Sequence, residues 1–174
     1  MFEELSGTKE FALKQCDDAK SDKNYDASDF NIEDGVYDVL EGTGVCVKRI
    51  GSFLVSEGNE VNTMVLEFFN MDLRKYLDEV VKKLKNNEIR ILIKRELVKS
   101  ILKLLETLHE LGFVHSDLKP ENIVVKFPEN NPTDIEVRLI DFSTCYQKRN
   151  KITKEKLEFV LCIFKNCFVF SWTH

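Results

Sequence analysis

The spacing of apolar residues predicts strands and a helix in the first part of the chain. Residues 10–16, EFALKQC, alternate between apolar and polar positions and predict a strand, whereas the polar, acidic residues 17–29 predict a loop. Residues 30–42 predict a short amphipathic helix closed by Gly42, with four residues on its apolar side: Ile32, Val36, Val39 and Leu40. Two β-rich runs, VCVKRIGSFLV and VNTMVLEFF, flank the turn-like SEGNE and predict an antiparallel hairpin.

Helical periodicity dominates the second part of the chain. Residues 71–85 predict a helix, and residues 88–112 predict a longer one that Gly112 ends. The apolar residues of the longer helix recur at helical spacing: Leu97, Ile101, Leu104, Leu105 and Leu108. Two short strands follow, IVVKF and EVRLIDF, on either side of the turn-forming PENNPTD. A strand-rich front and a helical back with a small hairpin predict an α+β fold with two lobes.

The charge, the apolar runs and the cysteines argue against several classes of protein. A net charge of -5 over 174 residues argues against a protein that binds nucleic acid through a basic surface. The acidic N-terminus does not resemble a secretory signal, and no run reaches the ~20 apolar residues of a membrane span. Five cysteines without a C-x-x-C pattern predict free thiols in a reducing, intracellular setting: Cys16, Cys46, Cys145, Cys162 and Cys167.

Residues 115–125, HSDLKPENIVV, combine an acid, a cation and an amide just before a predicted strand. Asp117 can orient an attacking hydroxyl or accept its proton, and Lys119 can neutralise charge on a transferring phosphoryl group. The side-chain oxygen of Asn122 suits Mg²⁺, which prefers oxygen ligands. The predicted hairpin brings a second carboxylate, Asp141 of LIDFS, close to Asn122. This combination predicts a metal–phosphate site suited to phosphoryl transfer.

The string HSDLKPEN followed by DFS resembles the catalytic loop and the metal-binding motif of eukaryotic protein kinases. FALK is similar to the strand that carries the phosphate-pairing lysine, and MVLEFFNMDLRKYL to the strand, hinge and helix around adenine. The resemblance covers roughly residues 8–145 and implies a bilobal, incomplete protein-kinase-like fold. Residues 1–69 would form a partial strand-rich lobe ending in the hinge, 70–145 the start of the helical lobe, and 146–174 an atypical tail.

By this resemblance, the catalytic loop contributes the reacting and metal-binding groups. Asp117 would be the catalytic aspartate, and Lys119 would contact the γ-phosphate. Asn122 and Asp141 would hold Mg²⁺. The motif LKPEN is more similar to the serine/threonine kinases than to the tyrosine kinases, which implies a protein hydroxyl as the phosphate acceptor.

The resemblance also assigns the residues that bind ATP. Lys14 would pair with Glu33 and position the α- and β-phosphates. Leu66 would lie at the gatekeeper position, and the backbone from Glu67 to Phe69 would face the adenine. Two neighbouring acids remain open as alternative partners of Lys14: Asp29 and Asp34.

The chain departs from the family pattern at several positions. Ser116 stands where an arginine usually precedes the catalytic aspartate, and Ser143 replaces the glycine of the metal motif, where it makes the backbone less permissive. No glycine-rich G-x-G-x-x-G precedes Lys14, and no A-P-E follows Asp141. The apolar end of the chain, LEFVLCIFKNCFVFSWTH, does not resemble an activation segment. The sequence alone therefore predicts a truncated kinase domain with poor activity.

The leading hypothesis is an ATP- and Mg²⁺-dependent protein serine/threonine kinase that acts on a protein substrate. A small-molecule kinase of the aminoglycoside- or choline-phosphotransferase kind would also place a histidine, an aspartate and an asparagine before IDF. A pseudokinase, or a non-catalytic fragment that binds a partner, is the alternative from another class. Ser143 favours the non-catalytic alternative, whereas the presence of Lys14, Asp117, Asn122 and Asp141 opposes it.

Overall fold

A computed structural model describes residues 10–17, 27–56, 60–128, 131 and 133–147. In this part of the chain, strand-rich and helix-rich segments share one hydrophobic core. The tail predicted for 146–174 lies outside the described residues except for 146 and 147.

The first sheet contains the strand and the hairpin that alternation predicts. Its three strands are β1 (Phe11–Asp17), β2 (Arg49–Ser56) and β3 (Glu60–Glu67), which pair antiparallel in the order β1-β3-β2. Met64 in the central strand lies between Lys14 and Ser52, so these three side chains share one face of the sheet. The register of β2 shifts between Arg49 and Gly51.

Helix α1 spans Ala27–Leu40 and begins three residues before the predicted helix. Its buried stripe has the spacing of one helical face: Glu33, Val36, Tyr37 and Leu40. The predicted apolar side is wrong for Ile32 and Val39, which are 42% and 50% exposed. The acidic Glu33 belongs to the buried face of the helix. A prediction from hydrophobicity alone therefore assigns the wrong face of α1 to the core. Gly42 follows the helix with a φ of 73°, a conformation that glycine adopts without steric cost.

The predicted helix of residues 71–85 forms only in part. Met71–Asp72 is a short strand, β4, because its backbone pairs with a later strand of the second sheet. Helix α2 then covers Leu73–Lys75 and continues as a π turn over Tyr76–Val80 and a 3₁₀ turn over Val81–Lys83. The Asp72 side chain accepts a 2.9 Å hydrogen bond from the amide of Lys75 and caps this segment.

Helix α3, Asn87–Glu110, is the long helix that periodicity predicts. Asn86 caps its start by accepting hydrogen bonds from the amides of Glu88 and Ile89. Its buried residues follow helical spacing: Ile93, Leu97, Ile101, Leu105 and Leu108. Leu104, which was also predicted to face the core, is only half-buried. Gly112 follows the helix with a φ of 85°. Among the described helices, none is both long and apolar enough to span a membrane.

Two small sheets flank the loop that carries the candidate residues. β6 (Ile123–Lys126) pairs antiparallel with β7 (Glu136–Leu139) and with β4. β5 (Phe113–Val114) pairs with β8 (Tyr146–Gln147). β7 ends at Leu139, so Asp141 lies two residues beyond the strand that was predicted to carry it. Pairing of β6 with β7 brings both predicted metal-binding residues to the same edge of the sheet.

Candidate active site

The loop between β5 and β6 gathers Asp117, Lys119 and Asn122 around one carboxylate. The side-chain amide of Asn122 donates to the backbone oxygen of Asp117 at 2.9 Å and to its Oδ2 at 3.0 Å. The Lys119 ammonium contacts the same Oδ2 at 2.6 Å, and this bond raises the pKa of Lys119. Asn122 is buried, while the Asp117 side chain is 44% exposed. The buried amide therefore fixes a carboxylate that a substrate can reach.

His115 fastens this loop to the segment after β7. Its Nε2 lies 2.9 Å from the backbone oxygen of Ile140, and its ring centroid lies 5.1 Å from that of Phe142. These contacts give His115 a structural role, because they tie the loop to the segment after β7. Burial lowers the pKa of His115, because a charged imidazole would lose its hydration there.

We expect the burial of His115 to make stability depend on pH. The unfolded chain binds a proton at His115 as the pH falls below about 6.5, whereas the folded chain resists protonation. The free energy of unfolding therefore decreases as the pH decreases. The slope from this residue is at most about 1.4 kcal/mol per pH unit. Urea unfolding at pH 7.5 and pH 5.5 should show a smaller loss for His115→Gln than for the wild type. Equal losses in the two proteins would contradict this prediction.

Asp141 lies against the loop because the backbone amide of Ile140 donates to the backbone oxygen of Asn122 at 3.0 Å. Asp141 has a φ of 66°, a left-handed conformation that is uncommon outside glycine but that aspartate tolerates. Ser143 has no positive φ, so the predicted backbone restriction at that position has no consequence here. Its hydroxyl instead donates to Asp141 Oδ1 at 3.1 Å. Ser143 thus orients the Asp141 carboxylate. The replacement of the family's glycine by serine did not by itself predict this hydrogen bond.

Lys14 on β1 joins α1 to Asp141. Its ammonium lies 2.8 Å and 2.6 Å from the two carboxylate oxygens of Glu33, and 2.8 Å from Asp141 Oδ1. Glu33 is only 1% exposed and also accepts a 3.1 Å hydrogen bond from the amide of Phe142. Of the rival partners, Asp34 pairs with Arg49, and the side chain of Asp29 lies outside the described residues. The structure therefore places Glu33 against Lys14.

The charges in this cluster stabilise one another. Burial opposes ionisation of Lys14, but the carboxylates of Glu33 and Asp141 outweigh it and raise the pKa of Lys14. Burial also opposes ionisation of Asp141, yet the bonds from Lys14 and Ser143 lower the pKa of Asp141. At neutral pH both groups are therefore charged, as contact with phosphate and with a cation requires.

The end of β3 and the residues that follow it form the predicted hinge. Leu66 and Phe69 are buried, at 6% and 7% exposure. The Glu67 carboxylate accepts a 2.7 Å bond from Lys126 on β6, whose ammonium also lies 5.5 Å from the centroid of the Phe69 ring. The amide of Glu67 donates to the backbone oxygen of Lys48 at 2.8 Å. Lys126 fixes the predicted hinge, and sequence reasoning missed it because no motif links residues 59 positions apart.

The donor set at this site fits Mg²⁺. Asn122 donates through its amide nitrogen, and among the described residues no donor faces its side-chain oxygen or Asp141 Oδ2. Two such oxygens, completed by water and phosphate oxygens, suit a cation that keeps part of its hydration shell. Among the described side chains no group of three or more His, Cys, Asp or Glu is placed to hold a metal. The site therefore suits a metal shared with a phosphate better than a dedicated protein cage.

Comparison with known proteins identifies a family that matches most of the chain. The family model described as protein kinase domain matches residues 3–161. The dual specificity tyrosine-phosphorylation-regulated kinase 3 of Homo sapiens is 34% identical over 91 residues, which are 52% of this chain and 14% of that protein. The serine/threonine-protein kinase WAG1 of Arabidopsis thaliana is 37% identical over 71 residues, 41% of this chain and 14% of that protein. The chain thus matches a small part of the length of these relatives.

A solved structure has a similar fold. In the structure of the CAK complex from Chaetomium thermophilum bound to ATP-gamma-S, one chain matches with a TM-score of 0.59 and 24% sequence identity. The match covers 79% of this chain and 39% of that chain. At this identity the similarity concerns the fold alone.

Proposed function

Because the chain belongs to the protein kinase family and has its α+β fold, we propose that it is an ATP-dependent serine/threonine kinase. In this proposal the γ-phosphate of ATP passes to a protein hydroxyl. Residues 1–69 act as the lobe that ends in the hinge, and residues 70–145 as the start of the helical lobe. The buried free thiols of Cys46 and Cys145 support an intracellular setting.

One observation carries this proposal: a continuous series of contacts joins Lys14 to Asp117. Lys14 contacts Asp141, and the neighbouring Ile140 bonds the backbone of Asn122, whose side chain holds Asp117. Residues from β1, from the segment after β7 and from the β5–β6 loop therefore have fixed mutual positions. Catalysis of phosphoryl transfer depends mainly on such positioning and on electrostatic stabilisation.

The proposal gives each residue a role that its contacts support. Asp117 orients the acceptor hydroxyl and takes the hydroxyl proton. The Asp117 carboxylate is accessible and is fixed by a hydrogen bond from the Asn122 amide. Lys119 contacts the same carboxylate and lies where it can neutralise charge on the transferring phosphoryl group. Lys14, positioned by Glu33, contacts the α- and β-phosphates.

We propose that Asn122 and Asp141 hold Mg²⁺ through the two oxygens that no donor among the described residues faces. The ion would neutralise charge on the phosphate oxygens when it is bound. The backbone bond between Ile140 and Asn122 keeps the two ligands adjacent, and Ser143 fixes the rotation of the Asp141 carboxylate.

For the nucleotide base, we propose the space beside Leu66 and Phe69, with the backbone from Glu67 to Phe69 along its edge. Both apolar side chains are buried against the core and so can present a fixed surface. The bond between Lys126 and Glu67 restrains this segment. A restrained segment loses less conformational entropy when a ligand binds.

A transfer assay tests the proposed function. We expect the protein, with Mg²⁺ and γ-labelled ATP, to label serine or threonine of a generic basic protein, and to leave choline and aminoglycosides unlabelled. Phosphoamino acid analysis of the product separates serine and threonine from tyrosine. Labelling of the small molecules alone would instead assign a small-molecule kinase. Mg²⁺-dependent ATP binding without any transfer would favour a non-catalytic role.

A further inference from the structure

Among the described side chains of helix α1, three acids contact the first sheet, and of these Glu33 belongs to the site described above. The next residue, Asp34, accepts through Oδ1 from the guanidinium of Arg49 and, at 3.0 Å, from the hydroxyl of Ser52. Arg49 also donates to the backbone oxygen of Asp34 at 3.2 Å and to the carboxylate of Asp38. We call Arg49, Ser52, Asp34 and Asp38 the helix clamp.

The sheet register explains why the clamp and Lys14 act on the same helix. Ser52 lies beside Met64, which lies beside Lys14, so Ser52 and Lys14 are on one face of the sheet. The register shift between Arg49 and Gly51 inserts an extra residue, and such an irregularity re-aims the neighbouring side chains. In this sheet the guanidinium of Arg49 reaches α1.

We propose that Arg49 is a positioning residue that holds α1 against the sheet, so that Glu33 stays in contact with Lys14. This inference deepens the proposed function and rests on it for the role of Lys14. Asp34 directly follows Glu33, and Asp38 lies one turn further along the helix. Two attachments one turn apart resist both rotation and tilting of α1, which a single ion pair cannot do.

The chemistry of arginine suits this task. The guanidinium is a rigid planar fork that can engage two acceptors at once, whereas a lysine ammonium acts as a point charge. The Arg49 side chain is 20% exposed and that of Asp34 is 32% exposed, so their contact is partly shielded from water. Asp38 is 63% exposed and makes the weaker attachment. The Ser52 hydroxyl donates a further hydrogen bond to the same carboxylate and restrains the Asp34 rotamer.

Amide hydrogen exchange of α1 tests the clamp directly in the full chain. We expect Arg49→Gln to reduce the protection of amides in residues 32–40 by about tenfold, the effect of losing one charge-assisted hydrogen bond. The matched control is Arg138→Gln, because Arg138 is similarly exposed but, among the described residues, bonds only Glu136 and Val137 of its own strand. The control should leave protection of α1 unchanged. Arg49→Lys should restore part of it.

A second measurement reports on Lys14 itself. Release of α1 would move Glu33 away from Lys14 and remove two of the contacts that hold its ammonium. The rate of Lys14 acylation by an amine-reactive reagent at one fixed pH, followed by mass spectrometry, should therefore rise in Arg49→Gln and not in Arg138→Gln. If exchange of α1 and the acylation rate both match the control, Arg49 does not position the helix.

Nucleotide titration separates failure of this inference from failure of the proposed function. The titration is carried out well below the melting temperature of the variant. If the wild type binds Mg²⁺-ATP, Arg49→Gln should raise the dissociation constant for Mg²⁺-ATP several-fold. An unchanged dissociation constant would overturn the link between the clamp and the nucleotide site. If the wild type does not bind Mg²⁺-ATP, the proposed function fails, and exchange and acylation alone decide whether the clamp exists.

Discussion

Asp117→Asn should slow phosphoryl transfer by about 10²–10⁴-fold, the usual contribution of a positioned general base or acid. The amide side chain has the same shape and can still accept the hydrogen bond from Asn122, so the loop should keep its geometry. It cannot accept the proton of the attacking hydroxyl. Because that loss occurs in the transition state, the affinity for ATP should change little.

Glu121→Gln is the matched control for this substitution. Glu121 belongs to the same loop and loses the same charge, but its carboxylate bonds Arg74 on the outer surface. Initial rates at saturating ATP, together with the ATP dissociation constant, should show full activity for Glu121→Gln and a large loss for Asp117→Asn. Equal rates in wild type and Asp117→Asn would remove Asp117 from the chemistry.

Local pattern was enough to predict most elements of the fold. The long helix follows from periodicity because it buries one apolar face. The first strand and the hairpin follow from their β-rich composition and alternation, although the apolar residues Phe11 and Leu13 of the first strand are exposed. Periodicity alone could not predict the face of α1, since the inward position of Glu33 depends on a lysine 19 residues away. Likewise, Met71–Asp72 pairs as a strand with β6, more than 50 positions later, although its local sequence favours a helix.

In the candidate site, too, features set by local sequence could be predicted and those set by long-range contacts could not. Motif spacing brought the catalytic-loop residues together correctly, because they lie within one short loop. The left-handed backbone of Ser116 and Asp141 occurs without a glycine, so the sequence does not reveal it. Long-range hydrogen bonds hold both residues in place, from Ser116 to Thr144 and from Lys14 to Asp141. Arg49 and Lys126 were missed because their partners lie on other elements, and only the folded chain shows these pairings.

The second large effect is expected for Lys14→Met, which should raise the dissociation constant of Mg²⁺-ATP by about 10–100-fold. This range corresponds to the loss of one charge-assisted contact of about 1.5–3 kcal/mol. Glu33→Gln should share part of the defect, because Glu33 positions Lys14. If the two residues act as a unit, the double variant should bind ATP no more weakly than Lys14→Met alone.

Stability provides an independent test of the same pair. In Lys14→Met the Glu33 carboxylate stays 99% buried with the Phe142 amide as its remaining partner, which should destabilise the fold by about 3 kcal/mol. Adding Glu33→Gln removes the buried charge, so the double variant should be more stable than Lys14→Met. Urea unfolding of the two single variants and the double variant measures this recovery, and Lys48→Met, at an exposed lysine, is the control. Additive effects on both affinity and stability would show that Lys14 and Glu33 act separately, and the partner of Lys14 would then have to be sought in Asp141 alone.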